Sequence, residues 1–279
     1  MPIAFENTST SPEALYSASI SGIKTVLNDH RQSLSRQYAR IFNMLLFKRV
    51  DHLRKIILKT TSNPPTIQKG PFAGMLFHTH AAEGCYIPKL LGCYEAELQP
   101  ALTLLSAIPY KRIINVGCAE GYYAVGLARL FPSSNILAFD INPKAQALCR
   151  QLAIMNNVAH RIHIDGELQT EQWATLLEGR ALVICDIEGA EYELLKPVGI
   201  FRHTDLLIEL HQTQQKPKQI NAFLEEFSAT HHIQIIQHGG RNPNQFEVLK
   251  PMRHLDQWLC VWEFRDGPTP WALLRAKIQ

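Results

Sequence analysis

Asp186, Glu188, Glu209 and His211 each stand where an apolar run of the chain ends, and a histidine among three carboxylates can take a proton from a hydroxyl. His211 is the candidate base because its ordinary pKa lies near neutrality, and Asp186, Glu188 and Glu209 are the neighbours able to orient it. The same three carboxylates are hard oxygen donors, so a divalent metal is an alternative use of them. Without a further assured ligand, no metal site is predicted. His78 and His80 alternate in an extended connector, where paired histidines more often have no catalytic or metal role.

A second group of residues suits a bound cofactor. In IINVGCAEGYYAVGLAR (Ile113 to Arg129) an apolar run breaks at Gly117 and Gly121 and resumes at helical spacing. A turn of that kind leaves backbone N–H groups for a polar ligand. Asn115 stands at the end of the run, Cys118 fills a small space within the loop, and Glu120 sits near the helix start. An anion there opposes a bound diphosphate and suits a cofactor carrying an amine and a sulfonium, which describes S-adenosylmethionine. NILAFDINP (Asn135 to Pro143) is a second apolar strand, ending in Asp140 and Ile141 where α/β folds place a ribose-binding acid. A third run ends at Asp165, Gly166 and Glu167.

The elements that must position these residues alternate. Strands are predicted near 112–117, 135–141, 161–165, 181–187, 204–211, 231–238 and 258–265, with helices between most of them. That order argues for an α/β fold, a doubly wound, mostly parallel seven-stranded sheet of Rossmann-like type, in which a ligand lies at the carboxyl ends of the strands. The last connection lacks a clear helical pattern, so the final strand can return antiparallel. Ahead of the sheet, Leu34, Tyr38, Ile41 and Leu45, then Leu46, Val50, Leu53 and Ile57, repeat at helical spacing and stop before Asn63, Pro64 and Pro65. Residues 1–87 therefore read as an N-terminal helical extension and connector, its first dozen residues poorly ordered, and residues 88–279 as the cofactor-binding domain.

ALVICDIEGAEYELL (Ala181 to Leu195) is the most specific segment. Together with LGCYEAEL (Leu91 to Leu98), the glycine loop and TDLLIELH (Thr204 to His211), it resembles the FkbM-type methyltransferases, a branch of the class I S-adenosylmethionine-dependent enzymes, over roughly residues 88–265. The resemblance implies an antiparallel last strand and methyl transfer, most often to a hydroxyl oxygen of a small metabolite, saccharide or biosynthetic intermediate. It also implies that Gly117 and Gly121 line the methionine moiety, Asp140 the ribose, and Asp165 to Glu167 the adenine, with Asp186 beside the reacting methyl. Asn115 departs from the class, which usually has a carboxylate there; Glu120 is the residue that can compensate.

Composition narrows the alternatives. Nearly half of the residues are hydrophobic, enough for a sizeable core, yet no apolar run reaches the roughly 18 residues of a membrane span, and the N-terminus lacks a signal-peptide pattern. A cytoplasmic protein with no membrane partner is the expectation. The six cysteines show no metal-binding spacing. Residues 1–70 hold ten Lys and Arg against four acids, a distribution that more often marks a solvated helical face than a nucleic-acid site. A D-I-E-G segment in place of the D/N-P-P-Y/F signature disfavours base methylation, and a missing GxGxxG disfavours a dinucleotide oxidoreductase. The alternative from another class is a non-catalytic module of the same fold that engages an acidic partner through the basic helices, which are also a candidate homodimer contact. Trp258, Trp262 and Trp271 offer stacking faces, although aromatic residues in a final strand are more often core.

Overall fold

The computed structural model describes residues 12–29, 33–81, 84–177, 179–211, 217–265, 267 and 269–277. The segment expected to be poorly ordered, from Met1 to about Pro12, lies almost wholly outside them. The chain divides into two compact units, Met1–Lys59 and Thr60–Gln279.

The first unit contains helices α1 (Pro12–Leu27) and α2 (Leu34–Leu58). Ser33 caps α2 by accepting the Arg36 N–H, and the Gln37 amide donates to the Asp29 carbonyl at 2.9 Å. Gly22 allows close packing of the two helices, since a Cβ there would lie 2.9 Å from the Met44 sulfur. The two apolar stripes expected on α2 fare differently: Leu53 and Ile57 are buried, whereas Leu34, Tyr38 and Leu45 are exposed.

The second unit runs α3 (Tyr86–Leu91), α4 (Gln99–Ser106), β1 (Arg112–Val116), α5 (Tyr122–Leu130), β2 (Asn135–Phe139), α6 (Pro143–Met155), β3 (Ile162–Asp165), α7 (Trp173–Leu176), β4 (Ala181–Cys185), α8 (Glu191–Leu194), β5 (Thr204–Glu209), α9 (Pro217–Phe227), β6 (His231–Ile236), α10 (His254–Cys260) and β7 (Trp271–Ala276). The seven strands form one sheet in the order β3-β2-β1-β4-β5-β7-β6. Strands β1 to β5 pair in parallel, and β7 is antiparallel to both β5 and β6. This is the doubly wound α/β sheet expected, including the reversed last strand. Among the described residues, no helix is long and apolar enough to cross a membrane.

Local chemistry explains the elements. Strands β4 and β5 are buried along their whole length, as continuous apolar runs in a parallel sheet must be. Helix α6 begins where Asn142 accepts the Lys144 N–H and Pro143 supplies a helical φ without needing a hydrogen bond. On one sheet face Ile114, Val116, Val183, Cys185, Leu206 and Ile208 pack against Trp173, Phe201, Phe223 and Phe227.

One strand assignment needs correction. The segment 258–265 is not a strand: its first residues close α10, and the seventh strand is Trp271–Ala276. A short apolar run such as Trp258 to Trp262 has no periodicity that separates helix from strand. The WALLRA stretch that does form β7 shows no alternation to announce it, because its first four residues are all buried.

Candidate active site

Parallel strands β1, β2, β3, β4 and β5 all end on one rim, and each releases a polar residue there or just beneath it: Asn115, Asp140, Asp165, Asp186 and, at the end of β5, Glu209 followed by His211. The glycine loop follows β1. Gly117 has φ 81° and a Cβ on it would stand 1.8 Å from the Asp186 carbonyl oxygen, so its exchange for any other residue would push the β1 and β4 exits apart. Gly121, φ 97°, is required by Cys149 of α6, whose sulfur would be 2.8 Å from an added Cβ.

Most of the loop's N–H groups are already used, contrary to the expectation that they face a ligand. Those of Gly117 and Cys118 donate to the Phe139 carbonyl and that of Gly121 to the Cys118 carbonyl. The Ala119 N–H donates to Asp140 Oδ2 at 2.8 Å. Asp140 Oδ1 accepts the Asn142 N–H at 2.8 Å, so this carboxylate ties the loop to the start of α6. Glu120 is fully buried, and its charge is balanced by Lys89 of α3 at 2.6 Å. The amine compensated by Glu120 is thus the protein's own. Asn115 differs from all of these: it is 1 % exposed, and neither its Oδ1 nor its Nδ2 has a hydrogen-bond partner among the described residues. Buried polar atoms are rarely left so.

Further along the rim, Ile141 is exposed at 78 % of its surface. Asp165 and Glu167 are exposed too, and Asp165 accepts the N–H of Gly166. Cys118 is buried beside Cys149, and that contact together with burial drives its thiol pKa far up. His78 is occupied elsewhere: its Nε2 lies 2.9 Å from the Leu148 carbonyl, and burial lowers its pKa.

The candidate base and its expected neighbours do meet. Nε2 of His211 lies 3.4 Å from Glu188, 3.5 Å from Glu209 and 3.8 Å from Asp186. The group that orients the ring is none of these three. Glu191 Oε1 lies 2.8 Å from His211 Nδ1 and also accepts the N–H groups of Ile187 and Gly189. One buried carboxylate therefore fixes both the turn after β4 and the imidazole after β5. Glu188, with φ 56°, is the non-glycine residue that this turn holds in the left-handed region. Burial pulls the His211 pKa down, but the Glu191 hydrogen bond and the charges of Glu209, Glu191 and Glu188 outweigh it and leave the pKa above its ordinary value.

Two further carboxylates, Glu95 and Glu263, join Glu209 around Arg265. Its guanidinium reaches Glu95 at 2.6 Å, Glu263 at 3.3 Å and Glu209 in a very short contact. Glu95 also accepts the Tyr123 hydroxyl. Burial, and then the charge of Glu209, raise the pKa of Glu95 to about 7. Burial likewise raises Asp186 well above its ordinary value, helped by the charge of Glu209 and the hydrogen bond between the two. Glu209 goes the other way: burial opposes its charge, but Asp186 as donor and Arg265 as counter-ion prevail and lower its pKa. Within the pair, a shared proton is favoured on Asp186 and the charge on Glu209. Donor atoms of Glu95, Asp186 and Glu209 lie within 4.8 Å of one another, as do those of Asp186, Glu191 and His211. In the first set Arg265 already supplies the positive charge that a divalent ion would bring.

Glu95, Glu191, Tyr123 and Arg265 are the site residues that sequence reasoning passed over. Glu95 and Glu191 stand inside LGCYEAEL and DIEGAE, and an acid repeated within a distinctive segment was the available signal. Nothing in the sequence marks Arg265.

No known family model matches the chain, and no curated protein matches it in sequence. Its fold is similar to solved methyltransferases. An O-methyltransferase from Bacillus cereus, in complex with SAH, is 10 % identical over 92 % of this chain and 97 % of its own, with a TM-score of 0.46. The O-methyltransferase TomG from Streptomyces achromogenes, in complex with SAM, is 13 % identical over 64 % of this chain and 80 % of its own, at 0.45. A precorrin-6y C5,15-methyltransferase from Geobacter metallireducens is 12 % identical over 65 % and 88 %, at 0.41. At these values the similarity is one of chain path alone, and no residue's role is taken from it.

Proposed function

We propose that this chain is an S-adenosylmethionine-dependent methyltransferase that acts on a hydroxyl oxygen. The observation that carries the reading is the convergence of Asn115, Asp140, Asp165, Asp186, Glu209 and His211 at or just beneath one rim of a sheet ordered β3-β2-β1-β4-β5-β7-β6. Carboxylates and amides gathered at that edge suit a ligand with an amine, a ribose and a sulfonium.

When bound, the cofactor supplies an electrophilic methyl group on sulfur. Asn115 is the candidate for its polar end, because its two buried hydrogen-bonding atoms have no partner among the described residues and a polar group at the β1 exit would supply one. Each Asp140 oxygen accepts one backbone N–H and keeps a lone pair for a ribose hydroxyl. Ile141 offers an apolar face for a purine, with Asp165, Gly166 and Glu167 at its edge. Glu120 is not assigned to the cofactor, since Lys89 satisfies it.

His211 is the base. Glu191 holds Nδ1, which fixes that nitrogen as the donor and leaves Nε2 free to take a hydroxyl proton. Glu209 and Glu188 stabilise the imidazolium that results. The D-I-E-G-A-E segment supports an FkbM-type assignment within the class.

Isothermal calorimetry with S-adenosylmethionine tests the cofactor half. Binding at micromolar to sub-millimolar concentration is expected, weakened about tenfold or more by Asp140→Ala through the loss of paired hydroxyl contacts. No heat at millimolar cofactor would leave the chain a binding module rather than an enzyme.

A further inference from the structure

Beside the carboxylates lies a cavity of about 300 Å³ that the roles given above leave unused. Trp258, Leu259, Val261 and Trp262 form its apolar walls, and His238, Arg241 and Glu263 its polar side. A second hollow of about 320 Å³ shares His238, Trp262 and Glu263 and extends to Arg265, the residue that grips Glu95 and Glu209. The two hollows thus share three lining residues, and the second borders Arg265, which contacts Glu95 and Glu209. It is at the low end of the ~300–1,000 Å³ typical of small-molecule sites, room for one ring or two fused rings.

The polar groups of this space are spent on one another. Arg241 donates to the Cys93 carbonyl at 2.7 Å, to Glu263 at 2.8 Å, and to the Gly239 carbonyl and Glu97 at 2.5 Å each. Arg265 is taken up by Glu95, Glu209, Glu263 and Thr269. An anionic ligand finds no open cation among these residues. Glu263 Oε1 accepts from Glu95 N–H and Arg241, and its Oε2 from Arg265, so a polyhydroxylated ring would bury several hydroxyls with few partners. The walls offer aromatic faces instead. Phe264 backs the Trp262 ring at 4.2 Å between centroids, and Trp258 is 47 % exposed. His238 keeps one ring nitrogen, Nε2, for a single polar contact, because Nδ1 lies 3.1 Å from Glu97.

We propose that this cavity binds a neutral aromatic alcohol of one or two fused rings, and that such a compound is the acceptor. The acceptor role rests on the methyl-transfer reading; the binding rests on the cavity alone. The proton chemistry agrees: a phenolic hydroxyl has an ordinary pKa of about 10, within reach of an imidazole base, whereas an alkyl alcohol is far less acidic.

The test is calorimetry on the full chain with three probes: 2-naphthol, its anionic counterpart 2-naphthoate, and methyl β-glucoside. S-adenosylmethionine is titrated into the same preparation. The expected result is 2-naphthol binding at least about tenfold tighter than either other probe, weakened about tenfold by Trp262→Ala and largely retained by Trp262→Phe. Equal or tighter binding of 2-naphthoate or the glucoside overturns the proposal, as does no heat with 2-naphthol or undiminished binding by a Trp262→Ala variant whose circular dichroism is native. The three-probe comparison on the unaltered chain decides the matter even where that variant misfolds. If the cofactor binds and 2-naphthol does not, the aromatic acceptor falls and methyl transfer stands. If 2-naphthol binds and the cofactor does not, methyl transfer falls and a ring-binding cavity remains.

Discussion

A histidine serves as a base only when its free nitrogen is aimed and its charge, once acquired, is welcome. Glu191 meets the first need and its neighbours the second, so the pKa of His211 should depend on a carboxylate that never touches the acceptor. Glu191→Gln is expected to lower that pKa measurably, because the charge-assisted hydrogen bond and one raising charge disappear together. An NMR titration of the His211 ring reads the shift directly; an unchanged midpoint would remove Glu191 from the account. Asn115 offers a sharper test. Leucine has nearly its shape without its two unanswered polar atoms, so Asn115→Leu should raise the melting temperature of the ligand-free protein while weakening cofactor binding. The gain should be on the order of 1–3 kcal/mol. A residue that merely packs the sheet would give neither change.

Among elements, the turns after β1 and β4 are the critical pair, since Gly117 lies against the Asp186 carbonyl. Gly117→Ala combines a left-handed φ with a backbone clash and should destabilise the fold by at least about 1–3 kcal/mol, readable as a lower denaturant midpoint. Lys89 and Glu120 join α3 to the start of α5 in a buried pair. Lys89→Met should cost roughly 3–5 kcal/mol by removing a counter-ion of the buried Glu120 charge, and adding Glu120→Gln should restore much of it.

The same comparison shows what a linear reading can reach. Strands β1, β2, β4 and β5 are visible as largely apolar stretches and β3 and β6 as short β-branched ones, and the exits of β4 and β5 bring Asp186, Glu188, Glu209 and His211 to one place. Glu191 and Glu95 were hidden by their surroundings. An acid in a short helix or a tight turn looks solvated until its burial is seen. Arg265 was beyond reach, because its pairing with Glu95 joins residues 170 positions apart. The misplaced seventh strand shows the same limit at the scale of an element, where a few consecutive apolar residues fit helix and strand equally.

For the molecule as a whole, the crowded carboxylates make stability depend on pH. Glu95 has a folded pKa of about 7 against an ordinary 4.5, so the folded chain holds a proton that the unfolded chain releases first. Its contribution is full below pH 4.5 and is lost as pH rises towards 7. Asp186 acts in the same direction. The lowered pKa of Glu209 opposes them, its share being present above its ordinary value and lost on acidification. Glu95→Gln should remove that residue's downward contribution, so in thermal scans the melting temperature of the variant should decline less, or rise more, between pH 4.5 and 7 than that of the parent chain. A slope unchanged in the variant would show that Glu95 carries no excess proton.

The direction of β7 has a consequence for how this protein can diversify. Five strands contribute to the working edge what comes after them, whereas a strand running the other way contributes what comes before it. Arg265 and the tryptophan-bearing segment precede β7, so Arg265 reaches that edge without belonging to any of the parallel crossovers. If the proposed methyl transfer holds, exchanges between α10 and β7 would remodel what the chain accepts while leaving untouched what it consumes.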